Sequence, residues 1–259
     1  MELGIAGRTA VVTGGSKGIG RACVEALRAE GADVVAVSRD VSALDDLVAD
    51  AAGHVIAAAC DLTTIEGCDK AVRTALDTFG RIDILVNCAG SAGMGNVLDI
   101  DAAQIDSALT LKLHGYLRMA QRVAPIMKER GWGRIVNVAG SAGTSPTAHN
   151  LPTSLANITV HNVTRALSDE LAPHGVQVNL VAPGLTVTDR ALALFADAAA
   201  KQGRTPEDLV AEAGAGLPVG RAADPREVAR VVTFLASDAC SYVQASALYM
   251  DGGARRATP

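Results

Sequence analysis

The pattern that most limits the fold of this chain is the repeated succession of a short apolar run and a longer amphipathic stretch. Runs rich in Val, Ile and Ala at Thr9–Thr13, Asp33–Val37, Val55–Ala59, Ile84–Val86, Ile135–Val138, Gln177–Val181 and Ala247–Met250 read as strands. Between them, Ile19–Ala29, Cys68–Phe79 and Thr153–Leu171 carry apolar residues at three- and four-residue spacing and read as helices, as does the long stretch Ala102–Arg130. Such alternation predicts a doubly wound α/β domain, a Rossmann-like seven-stranded parallel sheet with helices on both faces. Gly31, Gly80, Gly131 and Gly175 stand where left-handed helix C-caps belong. No Ser/Pro-rich linker or repeat divides residues 1–259, so a single domain is expected. The least regular stretch, 189–219, follows the sixth strand and is the expected substrate lid.

Composition excludes several function classes. A net charge of −5 with 23 basic and 28 acidic residues argues against a nucleic-acid or acidic-membrane binder, since both need clustered positive charge. No apolar run approaches the roughly 18 residues of a membrane helix, and the start MELGIAGRTAVVTGG has no signal-peptide character. Five cysteines, none in a CxxC pair or with zinc spacing, read as buried thiols of a cytoplasmic protein, with no metal expected.

The first strand runs straight into Gly14-Gly15-Ser16-Lys17-Gly18-Ile19-Gly20 at a helix start. Glycines there allow a tight turn and let backbone N–H groups approach a pyrophosphate on the helix N-terminus, which points to a dinucleotide. The second strand ends Val37-Ser38-Arg39-Asp40. Ser38 is neutral where an acid would accept a ribose 2′-OH, and Arg39 and Lys17 can pair with a 2′-phosphate, favouring NADP(H). The competing reading takes Asp40 as the ribose acid, with Arg39 in solvent and NAD(H) as cofactor.

The spacing Gly-x-x-x-Gly-x-Gly resembles that of the short-chain dehydrogenase/reductase family, and further motifs agree over essentially the whole chain. Asp61-Leu62 resembles the family's adenine-side aspartate; Asn87-Cys88-Ala89-Gly90 is similar to its Asn-Asn-Ala-Gly motif. Asn179 to Pro183-Gly184 matches its Asn-x-x-x-Pro-Gly turn, after which Thr186 and Thr188 would meet the nicotinamide carboxamide. Gly220-Arg221, Pro225 to Ala229 and Asp251-Gly252-Gly253 complete the tail. The resemblance implies hydride transfer between NAD(P)(H) and a carbonyl/alcohol pair, in a homodimer or homotetramer built on the two long helices and the last strand.

The family's proton-transfer residues are a Tyr, a Lys four residues on, a Ser and an Asn, and here the match fails. Aligning Asn137-Val138-Ala139-Gly140 with the family's Asn-Ile-Ser-Ser sets Gly140 at the Ser position, Thr153 at the Tyr position and Asn157 at the Lys position. Leu111-Lys112-Leu113 replaces Val-Asn-Leu, so Lys112 stands for the Asn. There is no Tyr between Tyr116 and Tyr242 and no Lys between Lys128 and Lys201. Lys and Asn are thus exchanged, and Lys112 can return a cation to nearly the same point. The alternative is that Lys112 ties to Asp106 or another acid.

Thr153 is too weak an acid to replace a phenol. Ser141, one residue past the Ser position, could polarise a carbonyl, and His149, titrating near neutrality, could act as acid/base; His161 and Cys88 are weaker candidates. Leu151, Leu185, Leu192, Leu194, Phe195 and Trp132 are candidates for an apolar substrate pocket. Three readings follow: an NADP(H)-dependent oxidoreductase using replaced residues, an inactive subunit paired with an active relative, and a nucleotide-sensing regulator.

Overall fold

The computed structural model describes residues 2–90 and 93–256. Seven strands, β1 (Thr9–Thr13), β2 (Asp33–Ser38), β3 (Val55–Ala59), β4 (Ile84–Asn87), β5 (Gly133–Val138), β6 (Val176–Pro183) and β7 (Ala247–Met250), form one sheet in the order β3-β2-β1-β4-β5-β6-β7. Every pairing is parallel. The strand order reverses between β1 and β4, which opens a crevice at their carboxyl ends.

Side chains alternate across the sheet and define the two cores. Ala10, Val12, Val34, Ala36 and Val136 pack with helices α1 (Gly18–Ala29), α2 (Asp45–Asp50) and α9 (Pro225–Leu235). Val11, Val35, Leu85, Ile135 and Val178 pack with α3 (Ile65–Phe79) and α5 (Tyr116–Arg130). Helix α6 (Leu151–Leu171) supplies Val160 to a third cluster with Tyr116, Leu180 and Ala182. Under the crevice, buried amides tie strands to helix: Asn87 donates to Asn137 at 3.0 Å, and Asn137 donates to the Thr164 hydroxyl at 2.9 Å.

Two expectations need correction. The stretch 189–219 is not irregular: it holds α7 (Asp189–Gln202), capped by Thr188, and α8 (Pro206–Ala215), capped by Thr205. The stretch Ala102–Arg130 is not one uniform helix. It comprises α4 (Ala102–Leu109), a π-helical turn at Thr110–Gly115 and then α5. At the end of that turn Gly115 passes close to the β3–α3 connection; a Cβ there would lie 3.2 Å from the Leu62 carbonyl oxygen. π turns in otherwise α-helical segments recur at functional sites. Among the described residues, no helix is long and apolar enough to cross a membrane.

Candidate active site

A cavity of about 450 Å³ lies at the carboxyl ends of β1, β4, β5 and β6. Its glycine wall is Gly14, Lys17, Gly18, Ile19 and Gly20; Ala89 and Gly90 face it from the end of β4. Pro183, Gly184, Thr186 and Thr188 supply a third side, and α7 adds Arg190 and Leu194.

The glycine wall is a cradle that other residues would fill. Gly14 adopts φ +69°, and a Cβ on it would lie 2.9 Å from the Ala89 Cα. At Gly20 a Cβ would collide with the Gly14 carbonyl oxygen at 2.0 Å. Helix α1 has no side-chain cap, whereas Thr64, Thr188 and Asp224 cap α3, α7 and α9. Its first turn, Gly18 to Gly20, lines the cavity, and uncapped N–H groups there suit an anionic ligand. The N-cap residue of α7 folds over this wall, since a Cβ on Gly18 would lie 3.1 Å from the Thr188 Cγ2.

Beyond the glycine loop, the Ser38 and Ser16 hydroxyls pair at 2.9 Å. Arg39 is exposed, and its charge reaches Asp61. Asp40 is an exposed carboxylate engaged in a turn. It accepts from the Ser42 hydroxyl at 2.8 Å and backbone N–H at 3.0 Å, which hold its pKa below the usual range, with Lys17 adding to the effect. Asp61 is likewise engaged with Thr63. Ser16, Ser38, Arg39, Asp61 and Leu62 do not line the cavity itself, and the Asn87 side chain is buried beneath its floor.

At the other end the π turn delivers Lys112. Its Nζ donates to the Val138 carbonyl at 2.7 Å and to the Tyr116 Oη at 3.3 Å, while Tyr116 donates to the same carbonyl at 3.0 Å. Lys112 does not tie to Asp106, whose backbone carbonyl instead accepts the Thr110 hydroxyl. Burial holds the Lys112 ammonium at about 8, with Arg190 lowering it further and Cys88 opposing. Burial also pushes the Cys88 thiol up to about 11 and the Tyr116 phenol well above its ordinary value, so neither ionises near neutrality.

Thr153 and Asn157 line the cavity with Lys112. The Asn157 Oδ1 accepts from the Gly140 N–H at 2.9 Å and its Nδ2 donates to the Thr153 carbonyl at 2.8 Å; the Thr153 hydroxyl donates to the Gly93 carbonyl. Two candidates are not brought into the cavity. Ser141 is half-buried in a short 3₁₀ turn (Ser141–Thr144), and His149 is exposed, its carbonyl paired with the Gly95 N–H. His161 packs near Tyr249 instead.

Of the pocket candidates, Leu185 and Leu194 line the cavity. Trp132 lies at the amino end of β5, with the guanidinium carbons of Arg8 and Arg134 at 3.8 and 4.3 Å from its ring centroid and its indole N–H on Asp238. Tyr116 and Arg190 were not reached by sequence reasoning. The first belongs to the site through the Val138 carbonyl and the Lys112 ammonium, the second through the fold of α7.

Fold and cradle together define a dinucleotide-binding α/β protein. The family model described as Enoyl-(Acyl carrier protein) reductase matches residues 14–255. The chain is 34% identical over 247 residues to a short-chain reductase protein, NovJ, of Streptomyces niveus, covering 94% of this chain and 92% of the relative. It is 32% identical over 254 residues to the 3-oxoacyl-[acyl-carrier-protein] reductase FabG of Vibrio harveyi, covering 97% and 98%. The structure superimposes on L-sorbose reductase of Gluconobacter frateurii, solved with NADPH and L-sorbose, with a TM-score of 0.94, 28% identity and full coverage of both chains. The chain belongs to the short-chain dehydrogenase/reductase family, a family of oxidoreductases.

Proposed function

We infer that the chain is an NADP(H)-dependent oxidoreductase that moves hydride between the nicotinamide and a carbonyl or alcohol carbon, with Lys112 serving the reacting oxygen. The observation that carries this reading is the Lys112 ammonium, the only lysine among the described cavity-lining residues beyond the glycine loop, pinned on Val138 and titrating at about 8.

The uncapped start of α1 would hold the pyrophosphate, and Thr186 and Thr188 the nicotinamide end. The nicotinamide, when bound, supplies or accepts the hydride. Reduction leaves an oxygen needing a proton, and an acid titrating near the working pH is suited to give it. The Val138 carbonyl and Tyr116 Oη orient the Lys112 ammonium. Desolvation around it strengthens its pull on a developing alkoxide. Thr153 and Asn157, whose polar groups are engaged with backbone, shape the pocket and do not donate.

NADPH is favoured over NADH by the neutral Ser38–Ser16 pair and by Arg39 and Lys17 at the rim, and the fold is shared with a reductase solved with NADPH. Replacing Ser38 with Asp is expected to weaken NADPH binding by about tenfold or more and to improve NADH, because a carboxylate repels a 2′-phosphate and accepts a 2′-OH. Calorimetric titration of both nucleotides reads this directly. Tight NADPH binding by the wild-type chain, with turnover of a carbonyl panel that depends on Lys112, is the test of the whole reading; no turnover, or turnover indifferent to Lys112, would sink it. The commitment of Thr153 and Asn157 to backbone contacts favours, as a second reading, an inactive nucleotide-binding subunit. Copurification with an active relative would support that. Self-association through β7, half-buried at the sheet edge, is the oligomeric form we propose.

A further inference from the structure

Of the eight large apolar side chains exposed among the described residues, five stand on the two segments that border the cavity: Met94, Val97 and Leu98 after β4, and Val187 and Leu194 after β6. The first segment is fixed beside the site. The Gly93 carbonyl accepts from the hydroxyl of cavity-lining Thr153, and the Gly95 and Val97 N–H groups donate to the His149 and Ala148 carbonyls just before α6. The second segment carries the cavity-lining Thr186 and Thr188 and leads into α7. Leu98 is 89% exposed, and Leu194 is 53% exposed although it lines the cavity. Exposed apolar side chains grouped beside a cleft mark a binding surface, because a ligand that covers them releases their water.

Helix α7 changes character along the cavity. Its charged residues, Asp189 and Arg190, stand in the first turn, with Arg190 on the Gly90 carbonyl. After them the lining residues are Ala191 and Leu194, three apart and so on one helix face. Leu185 and Val138 add further apolar wall. The polar groups of Thr153 and Asn157 are engaged with backbone. A reacting oxygen held at Lys112, with apolar walls leading outward, suits a carbonyl head joined to a hydrocarbon tail.

Resting on the oxidoreductase reading above, we propose that the substrate is a ketone with an unbranched hydrocarbon tail, which lies on Leu185 and Leu194 and leaves the cavity over Leu98. The ketone carbon takes the hydride and its oxygen takes the proton of Lys112, giving a secondary alcohol and NADP⁺; Lys112 regains its proton from solvent. Compact polar ketones leave the apolar walls wet and are handled poorly.

The test compares butanone, 2-hexanone and 2-octanone on the full chain, with dihydroxyacetone as the compact polar ketone. Initial rates are measured with NADPH, and calorimetry with NADP⁺ present reads binding without turnover. Each added methylene is expected to raise kcat/KM and affinity by about twofold to fourfold, the upper figure being that of full burial. Leu194→Asn should lower the ratio of 2-octanone to butanone by about tenfold, and Leu194→Met, which keeps an apolar side chain, should retain it. Leu98→Asn should lower the same ratio. A ratio near one in the wild-type chain overturns the proposal, as does a ratio that Leu194→Asn leaves unchanged. So does a loss of NADPH affinity in Leu194→Asn that matches the loss for 2-octanone, since the leucine would then serve the cofactor. If Leu98→Asn leaves the ratio unchanged and alters the sedimentation of the protein, the 94–98 surface is an interface between copies and the exit over Leu98 is overturned. Chain-length-dependent binding that needs Leu194, without turnover of any ketone, would remove the oxidoreductase reading and leave the apolar subsite standing. Turnover of all four ketones with equal kcat/KM would do the reverse.

Discussion

Lys112→Met is expected to abolish most turnover while making the protein more stable. Losing a general acid typically costs a factor of about 10² to 10⁴ in rate, and nucleotide affinity should change little because the glycine wall lies elsewhere. In the wild-type chain, carbonyl reduction needs the ammonium, so the rate is expected to fall as pH rises through about 8. That limb should vanish in the variant's residual activity. The stability effect follows from the same shift. Unfolded, Lys112 titrates near 10.5; folded, at about 8. Between those values the unfolded chain holds the extra proton, so this group's contribution improves as pH rises from 8 to 10.5, and its cost is fully present below 8. The full cost corresponds to roughly 3 kcal/mol. Methionine fills a similar volume without charge, and the Val138 carbonyl keeps its bond from Tyr116. A melting temperature raised by several degrees at pH 7, with the gain shrinking towards pH 10.5, is the expected outcome. A variant that melts lower and keeps its rate would refute both parts.

Gly20→Ala should produce the largest loss of binding. The added methyl would meet the Gly14 carbonyl oxygen at 2.0 Å, and neither partner is a flexible side chain. Either the turn opens or α1 shifts, and both move the N–H groups of the first turn. Nucleotide affinity is expected to fall by about a hundredfold or more, and stability by several kcal/mol, as for other backbone collisions in packed regions. Titration with NADPH, together with thermal melting, reads both. Gly93, where a Cβ meets nothing within 4 Å, is a control for alanine substitution as such.

Much of the architecture was legible because parallel strands buried on both faces are simple apolar runs, and β1, β3 and β7 match their expected bounds. The glycine turn was legible because strand before and helix after leave it one geometry. The helices of 189–219 were missed because α7 and α8 are Ala-rich and their starts are marked mainly by their caps, Thr188 and Thr205. Trp132 was offered for its apolarity alone, although it precedes the fifth strand and so stands at the amino end, away from a crevice at the carboxyl ends. Ser141 and His149 stand close in sequence to the expected catalytic positions, but neither lines the cavity.

Local sequence determined what short-range physics can determine: strand and helix periods and the glycine cradle. The partners of Lys112 came from the fold alone. The Val138 carbonyl belongs to β5, Tyr116 follows a π turn, and Arg190 arrives from α7 to meet Gly90. The bonds to the Val138 and Gly90 carbonyls join residues far apart in the chain, so no pattern of neighbours announces them. A lysine's proton affinity depends on how much water those contacts remove, a property that exists only after the chain has closed around it.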